Sequence, residues 1–236
     1  MTHGAIVKGM RPGSVAFGCC LLVCAVVCAR AQETVSFRPQ DGGLIYAHQY
    51  GAGERAVVLA HGARFNKESW EQQARVLTNA GFRVLALDFR GYGKSKGPGD
   101  KEVLDAPLEY DVLGAVRYLQ KSGAKKISLI GGSMGGAAVA DASALLKPEE
   151  IDAVILIGAT PEHPERMRGR KLFVISRDDP GPGGTPRLQR LKEQYEKVPE
   201  PRKLMVLEGS AHAQNIFATD KGKQLMNEIL RFLSAQ

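Results

Sequence analysis

From residue 34 onward the chain alternates short, β-branched apolar runs with longer stretches in which apolar residues recur every three or four positions. The runs predict strands over 34–37, 44–49, 56–60, 83–88, 126–130, 153–157, 171–176 and 203–207. Val57-Val58-Leu59 and Val154-Ile155-Leu156-Ile157 are apolar without alternation, as in strands covered on both faces. The first two strands, joined through Gln40-Asp41-Gly42-Gly43, read as a hairpin. Helices are predicted over 67–79, 108–121, 135–146, 186–197 and 220–233. In the last of these Leu225, Ile229 and Phe232 fall at helical spacing while Lys221, Lys223 and Arg231 fall elsewhere. Strands alternating with helices in this way predict an α/β fold with helices on both faces of a mostly parallel sheet. No repeat, low-complexity tract or linker interrupts the pattern. The one irregular stretch, 160–169, is too short for a separate cap domain.

The first 31 residues follow a different rule. Three basic residues (Lys8, Arg11, Arg30) and no acidic one flank an apolar run over 15–29 that ends in Ala29-Arg30-Ala31. A basic start, a short apolar core and a small-x-small end are the marks of a secretory signal. The run is short of the roughly 20 residues a spanning helix needs. An uncleaved anchor and a lipid-modified Cys19 are the alternatives. All four cysteines lie in this segment, so a cleaved chain, 32–236, has no cysteine and a net charge reduced from +7 to +4. That excludes a disulfide framework, a cysteine nucleophile and a thiolate metal site. It also removes the charge argument for a nucleic-acid partner. A secreted or periplasmic location is expected, with one domain over 32–236 and no stable membrane span after cleavage.

The predicted strand at 126–130 runs into Gly131-Gly132-Ser133-Met134-Gly135-Gly136 and then an alanine-rich helix. Strand, Gly-x-Ser-x-Gly, helix is the arrangement that lifts a serine above a sheet on a tight turn whose neighbours have no room for side chains. The same spacing occurs at Gly93-Lys94-Ser95-Lys96-Gly97, but Gly97-Pro98-Gly99 cannot start a helix in that register, so Ser95 is read as a loop residue. A nucleophilic serine needs a base and an orienting acid, which follow it in chain order on such a sheet. After Ser133 there are two histidines: His163, in a proline-flanked segment, and His212, in the loop after the last predicted strand. His212 is the expected base. Asp178 or Asp179 is the acid, and Asp179, three residues after Ser176, is preferred. The backbone N–H groups of Met134 and Ala63 are the expected oxyanion donors, with His61 orienting the Ala63 loop. No metal site and no cofactor is expected.

These residues together resemble the α/β-hydrolase superfamily: His61-Gly62, Asp88-Phe89-Arg90-Gly91-Tyr92-Gly93-Lys94-Ser95, the Ser133 turn and the Asp179 and His212 loops. The resemblance implies an eight-stranded sheet with strand 2 antiparallel to the others, a structural role for the Ser95 loop, and hydrolysis of an ester, thioester or amide. Two departures matter. No cap is inserted, and the nucleophile position is Ser rather than Asp, which argues against haloalkane dehalogenase and epoxide hydrolase chemistry.

The expectation is therefore an exported, cap-less serine hydrolase with an open site, cleaving small or exposed acyl groups of small-molecule substrates, carboxylic esters first, through Ser133, His212 and Asp179. Aminopeptidase-like, thioester or perhydrolase activity on the same residues, or a non-catalytic binding protein, are the alternatives. A peptidase would need an acidic group near the site, for which Glu162 and Glu165 are the candidates. The basic cluster Arg166, Arg168, Arg170, Lys171 is read as a solvated crossover; the alternative, since it lies on the segment nearest the site, is that it favours anionic substrates. Trp70, Tyr46 and Tyr50 are read as packing residues, and Asp111 as an anchor. Acyl preference and oligomeric state stay open.

Overall fold

The structure, a computed structural model, describes residues 1–4, 32–99, 106–181 and 185–235. The expected export signal and its four cysteines fall outside these from residue 5 on. Eight strands form one sheet in the order β1-β2-β4-β3-β5-β6-β7-β8. They are β1 (Glu33–Phe37), β2 (Ile45–Tyr50), β3 (Arg55–Ala60), β4 (Arg83–Leu87), β5 (Lys126–Gly132), β6 (Ala153–Ile157), β7 (Arg170–Ser176) and β8 (Arg202–Leu207). β2 runs antiparallel to both β1 and β4, and β3 to β8 pair in parallel. The first strand pair is the expected hairpin.

Five helices, α1 (Glu71–Asn79), α2 (Glu109–Lys121), α3 (Met134–Leu145), α4 (Arg187–Tyr195) and α5 (Gly222–Ser234), cover the sheet. Side chains of α2, α3 and α4 pack with Ala56, Val58 and Ala60 of β3 on one face. Trp70, α1 and α5 pack with Val57 and Leu59 on the other. The unbroken apolar runs are thus strands with a hydrophobic layer on each side, and burial of these side chains is the main force holding the three layers together. Trp70 and Tyr50 are buried in that packing.

The structure shifts several predicted boundaries. Leu44 lies outside β2, because its N–H and C=O exchange hydrogen bonds with Lys96 (2.8 Å each) instead of extending the ladder. The helix expected from residue 67 opens as a 3-10 turn, Lys67–Trp70, before α1. β5 runs two residues further than expected and takes in Gly131 and Gly132. Between β6 and β7 lie residues 158–169, with a single 3-10 turn at Pro164–Arg166 and no cap. Among the described residues no helix is long and apolar enough to cross a membrane.

Asp111 anchors α2, as expected. Its fully buried carboxylate accepts from Arg90 Nη2 (2.6 Å), Nε and the backbone N–H (2.9 Å), while Arg90 Nη1 reaches Asp41 (2.6 Å). Burial works against the Arg90 charge, but the bonds to Asp111 and Asp41 outweigh it and raise the guanidinium pKa. This network ties the loop after β4 to α2 and to the first hairpin. Asp111→Ala would leave the buried Arg90 with Asp41 as its remaining carboxylate partner, so the variant is expected to cost about 1.5–3 kcal/mol, read as a shift of the urea-unfolding midpoint. A shift below about 1 kcal/mol would mean that water takes over the carboxylate's place.

Candidate functional site

Ser133 stands between β5 and α3 with φ 51 and ψ −115, a conformation that costs a non-glycine residue about 1–3 kcal/mol. Two neighbours explain how it is held. A Cβ on Gly131 would lie 2.2 Å from the Gly135 carbonyl oxygen, and one on Gly135 would lie 2.3 Å from that of Ala60. Only glycine lets the strand, the turn and the helix approach so closely. The Ser133 N–H donates to the Ile157 carbonyl of β6 (2.9 Å), which fixes the turn against the sheet.

The other two members arrive from the same carboxyl edge of the sheet. After β7, a turn closed by Asp179 N–H to the Ser176 carbonyl (3.2 Å) carries the Asp179 side chain into the interior, where it is fully buried. After β8, the loop carrying His212 is tied to the β7 loop by Arg177 N–H to Leu207 O (2.7 Å), Asp178 N–H to Gly209 O (3.0 Å) and Ser176 Oγ to Ala211 O (2.7 Å). His212 Nδ1 lies 2.8 and 3.0 Å from the two Asp179 carboxylate oxygens, and Nε2 lies 2.8 Å from Ser133 Oγ. The carboxylate can only accept, so Nδ1 carries the proton and Nε2 is left to accept from the serine hydroxyl. Asp178 is exposed and its side chain has no recorded partner among the described residues. The structure thus brings Ser133, His212 and Asp179 together and leaves Asp178 out.

On the opposite side of Ser133 lies the loop after β3. The Gly62 N–H donates to Gln214 Oε1 (2.7 Å), and Gln214 Nε2 donates to Ser69 Oγ (2.8 Å). The N–H groups of Ala63 and Met134 donate to no described protein atom, and the Tyr92 hydroxyl links their residues by donating to Ala63 O (2.8 Å) and lying 3.8 Å from Met134 Sδ. His61 is fully buried beneath this loop. Its Nδ1 lies 2.9 Å from Gly62 O and its Nε2 accepts from the Phe89 N–H at 3.2 Å, so the ring is neutral although Asp88 Oδ1 is 4.0 Å away.

Ser95 is buried and its Oγ accepts from the Tyr46 N–H (2.9 Å), far from any imidazole partner. His163 is exposed and faces Glu165 at 3.8 Å. Gln214 was not legible as a site residue, since no motif marks a glutamine two positions after a histidine. Nor were Arg187 and Arg190 of α4, which line a cavity of about 480 Å³ with Ser133, Met134, Ala137 and Thr160. The site is therefore walled on one side by α4 rather than bare. The basic cluster goes elsewhere: Arg170 pairs with Asp152 (2.7 Å), Lys171 is buried rather than solvated, and Arg166 lines a second cavity with Glu109, Asp141 and Glu162. Among the described residues no group of three or more His, Cys, Asp or Glu is placed to hold a metal ion.

A family model described as alpha/beta hydrolase fold matches residues 55–178. The chain belongs to the α/β-hydrolase family. The pig (Sus scrofa) bifunctional epoxide hydrolase 2 is 39% identical over 136 residues, which is 58% of this chain and 24% of that protein. A putative non-heme chloroperoxidase of Synechocystis is 34% identical over 119 residues, 50% of this chain and 41% of that one. The chain thus spans less than half the length of these relatives. Among solved structures an esterase of Pyrococcus furiosus superposes with TM-score 0.72 at 18% identity, covering 86% of this chain and 92% of the esterase. A bromoperoxidase of Bacillus anthracis gives TM-score 0.69 at 18% identity, covering 86% and 100%. At such identities the two structures speak for the fold alone.

The buried His61 gives the fold an acid-sensitive point. Burial holds its pKa below the ordinary 6.5, and the bond to Gly62 O offsets this only in part. The unfolded chain therefore takes up the proton first: the contribution to stability is full above pH 6.5 and is lost as pH falls below it toward the folded value. Between about pH 7 and about pH 5 the melting temperature of the wild type should fall more steeply than that of His61→Gln, whose amide can keep both bonds. Parallel slopes in differential scanning fluorimetry would contradict this.

Proposed function

We propose that this hydrolase-family chain is an exported serine esterase that cleaves carboxylic esters through an acyl-enzyme intermediate. The observation that supports the reading is the 2.8 Å contact between Ser133 Oγ and a histidine whose other nitrogen faces the buried Asp179. In this reading Ser133 Oγ attacks the ester carbonyl as His212 Nε2 takes its proton. Asp179 holds the imidazole in the right tautomer and stabilises the imidazolium, and the N–H groups of Met134 and Ala63 receive the oxyanion. As the C–O bond breaks, His212 returns the proton to the departing alcohol. Water, deprotonated by His212, then adds to the acyl-enzyme and releases the acid.

The epoxide hydrolase among the relatives does not favour epoxide chemistry here. Serine attack on an epoxide carbon would leave an ether, which water does not cleave, whereas attack on a carbonyl leaves an ester, which it does. An aminopeptidase reading finds little support either, since Glu162 lines the second cavity, one helical turn along α3 from Ala137, and the cavity at Ser133 has no carboxylate lining it.

Ser133→Ala should abolish labelling by a fluorophosphonate probe and lower p-nitrophenyl acetate turnover by about 10³-fold or more, with an unchanged circular dichroism spectrum. Ser95→Ala should still label. Full labelling of folded Ser133→Ala would sink the proposal.

A further inference from the structure

The cavity at Ser133 has an uneven charge. Among the described residues its only charged lining residues are Arg187 and Arg190, one helical turn apart on α4 and hence on one side of that helix. Arg187 is engaged through Nε alone, 3.1 Å from Pro180 O and 3.3 Å from Asp179 Oδ1. Its two terminal nitrogens have no recorded partner among the described residues. Arg190 is exposed and pairs with no acidic group among them, whereas the nearby Arg177, after β7, is clamped onto Glu208 by three hydrogen bonds.

The position of these arginines also runs against local energetics. They occupy the first turn of α4, which contains no acidic residue. Cations there face the positive end of the helix dipole and repel one another as an i, i+3 like-charge pair. A sequence that keeps two such residues in the wall of a cavity beside a nucleophile accepts a local cost that an anion in that cavity would reverse. Asp141 and Glu162 line the second cavity instead.

We propose that the cavity beside Ser133 binds esters that carry a carboxylate, with Arg190 and the terminal nitrogens of Arg187 as the anion-binding groups. This rests on the serine-esterase reading and names its substrate class: an acidic half-ester, or an ester of an acidic alcohol, whose negative charge is held by α4 while Ser133 attacks the ester carbonyl.

The test uses the whole chain and two matched substrate pairs. Mono-p-nitrophenyl glutarate against p-nitrophenyl butyrate puts the carboxylate on the acyl side, and p-acetoxybenzoate against phenyl acetate puts it on the leaving group. The readout is the ratio of kcat/KM within each pair, and fluorophosphonate labelling is measured in parallel. For at least one pair the wild type should favour the acidic ester by roughly five- to tenfold at low salt. That ratio should fall at least twofold in Arg190→Gln, which leaves Arg187 in place, fall to about one or below in Arg190→Glu, and shrink toward about one as ionic strength is raised to about 1 M. Arg190 carries the test because Arg187 also touches Asp179, so that its replacement would disturb the acid itself. A wild-type ratio of one or less for both pairs, with intact labelling, overturns the anion site and leaves the esterase reading standing. A preference undiminished in both Arg190→Gln and Arg190→Glu overturns it as well. Absence of labelling and of turnover on all four esters overturns both.

Discussion

The approach of α3 to the sheet is the constraint on which the rest of the site depends. Because Gly131 and Gly135 leave no atoms in the way, the helix starts directly against β3 and β5, and Ser133 is forced to the left-handed side of backbone space. Its hydroxyl then projects past the carboxyl edge of the sheet, where the loops after β7 and β8 also end. None of these loops has to be long, because the parallel strands already bring their ends into one row. Apolar packing on both faces of the sheet supplies the rigidity that keeps a strained turn from relaxing.

Polar groups in the interior serve mainly to fix loops relative to one another. Arg90, Asp111 and Asp41 do so for the loop after β4, and His61 does so for the loop after β3, where it receives the Phe89 N–H and bonds Gly62 O. Asp88 performs a related task by accepting from both the backbone and the side chain of Lys67 (2.7 Å each). Each is a buried group with its partners in place, which is the condition for a polar interior to stabilise a fold and not weaken it. At the rim the charges are arranged differently, with Arg187 and Arg190 of α4 lining one cavity and Glu109, Asp141 and Glu162 lining another together with Arg166.

The eight strands and five helices were legible because their burial is written directly in apolar spacing. Boundaries were less so where tertiary pairing intervened, as at Leu44, which pairs with Lys96 instead of joining β2. Ser133 and His212 could be read from local sequence, since a tight turn restricts its residues and only two histidines follow it. Asp178 and Asp179 could be ranked but not separated, because burial of one and exposure of the other is decided by the turn from Ser176. Gln214, Arg187 and Arg190 carried no local mark at all. Their places follow from how α4 and the last loop fold over the sheet, and that information is spread across the whole chain. The basic cluster at 166–171 stood nearer the site in sequence than it does in space.

The bond from Gly62 to Gln214 crosses 152 positions, and that from Ser133 to His212 crosses 79. Both close only when β8 has docked beside β7. During synthesis, which delivers the amino-terminal part first, the turn at Ser133 and the loop at Gly62 exist for a time without the residues that hold or activate them. A chain caught before its last strand settles holds Ser133 with no imidazole beside it, so the contact of Ser133, His212 and Asp179 comes into being only with completion of the fold.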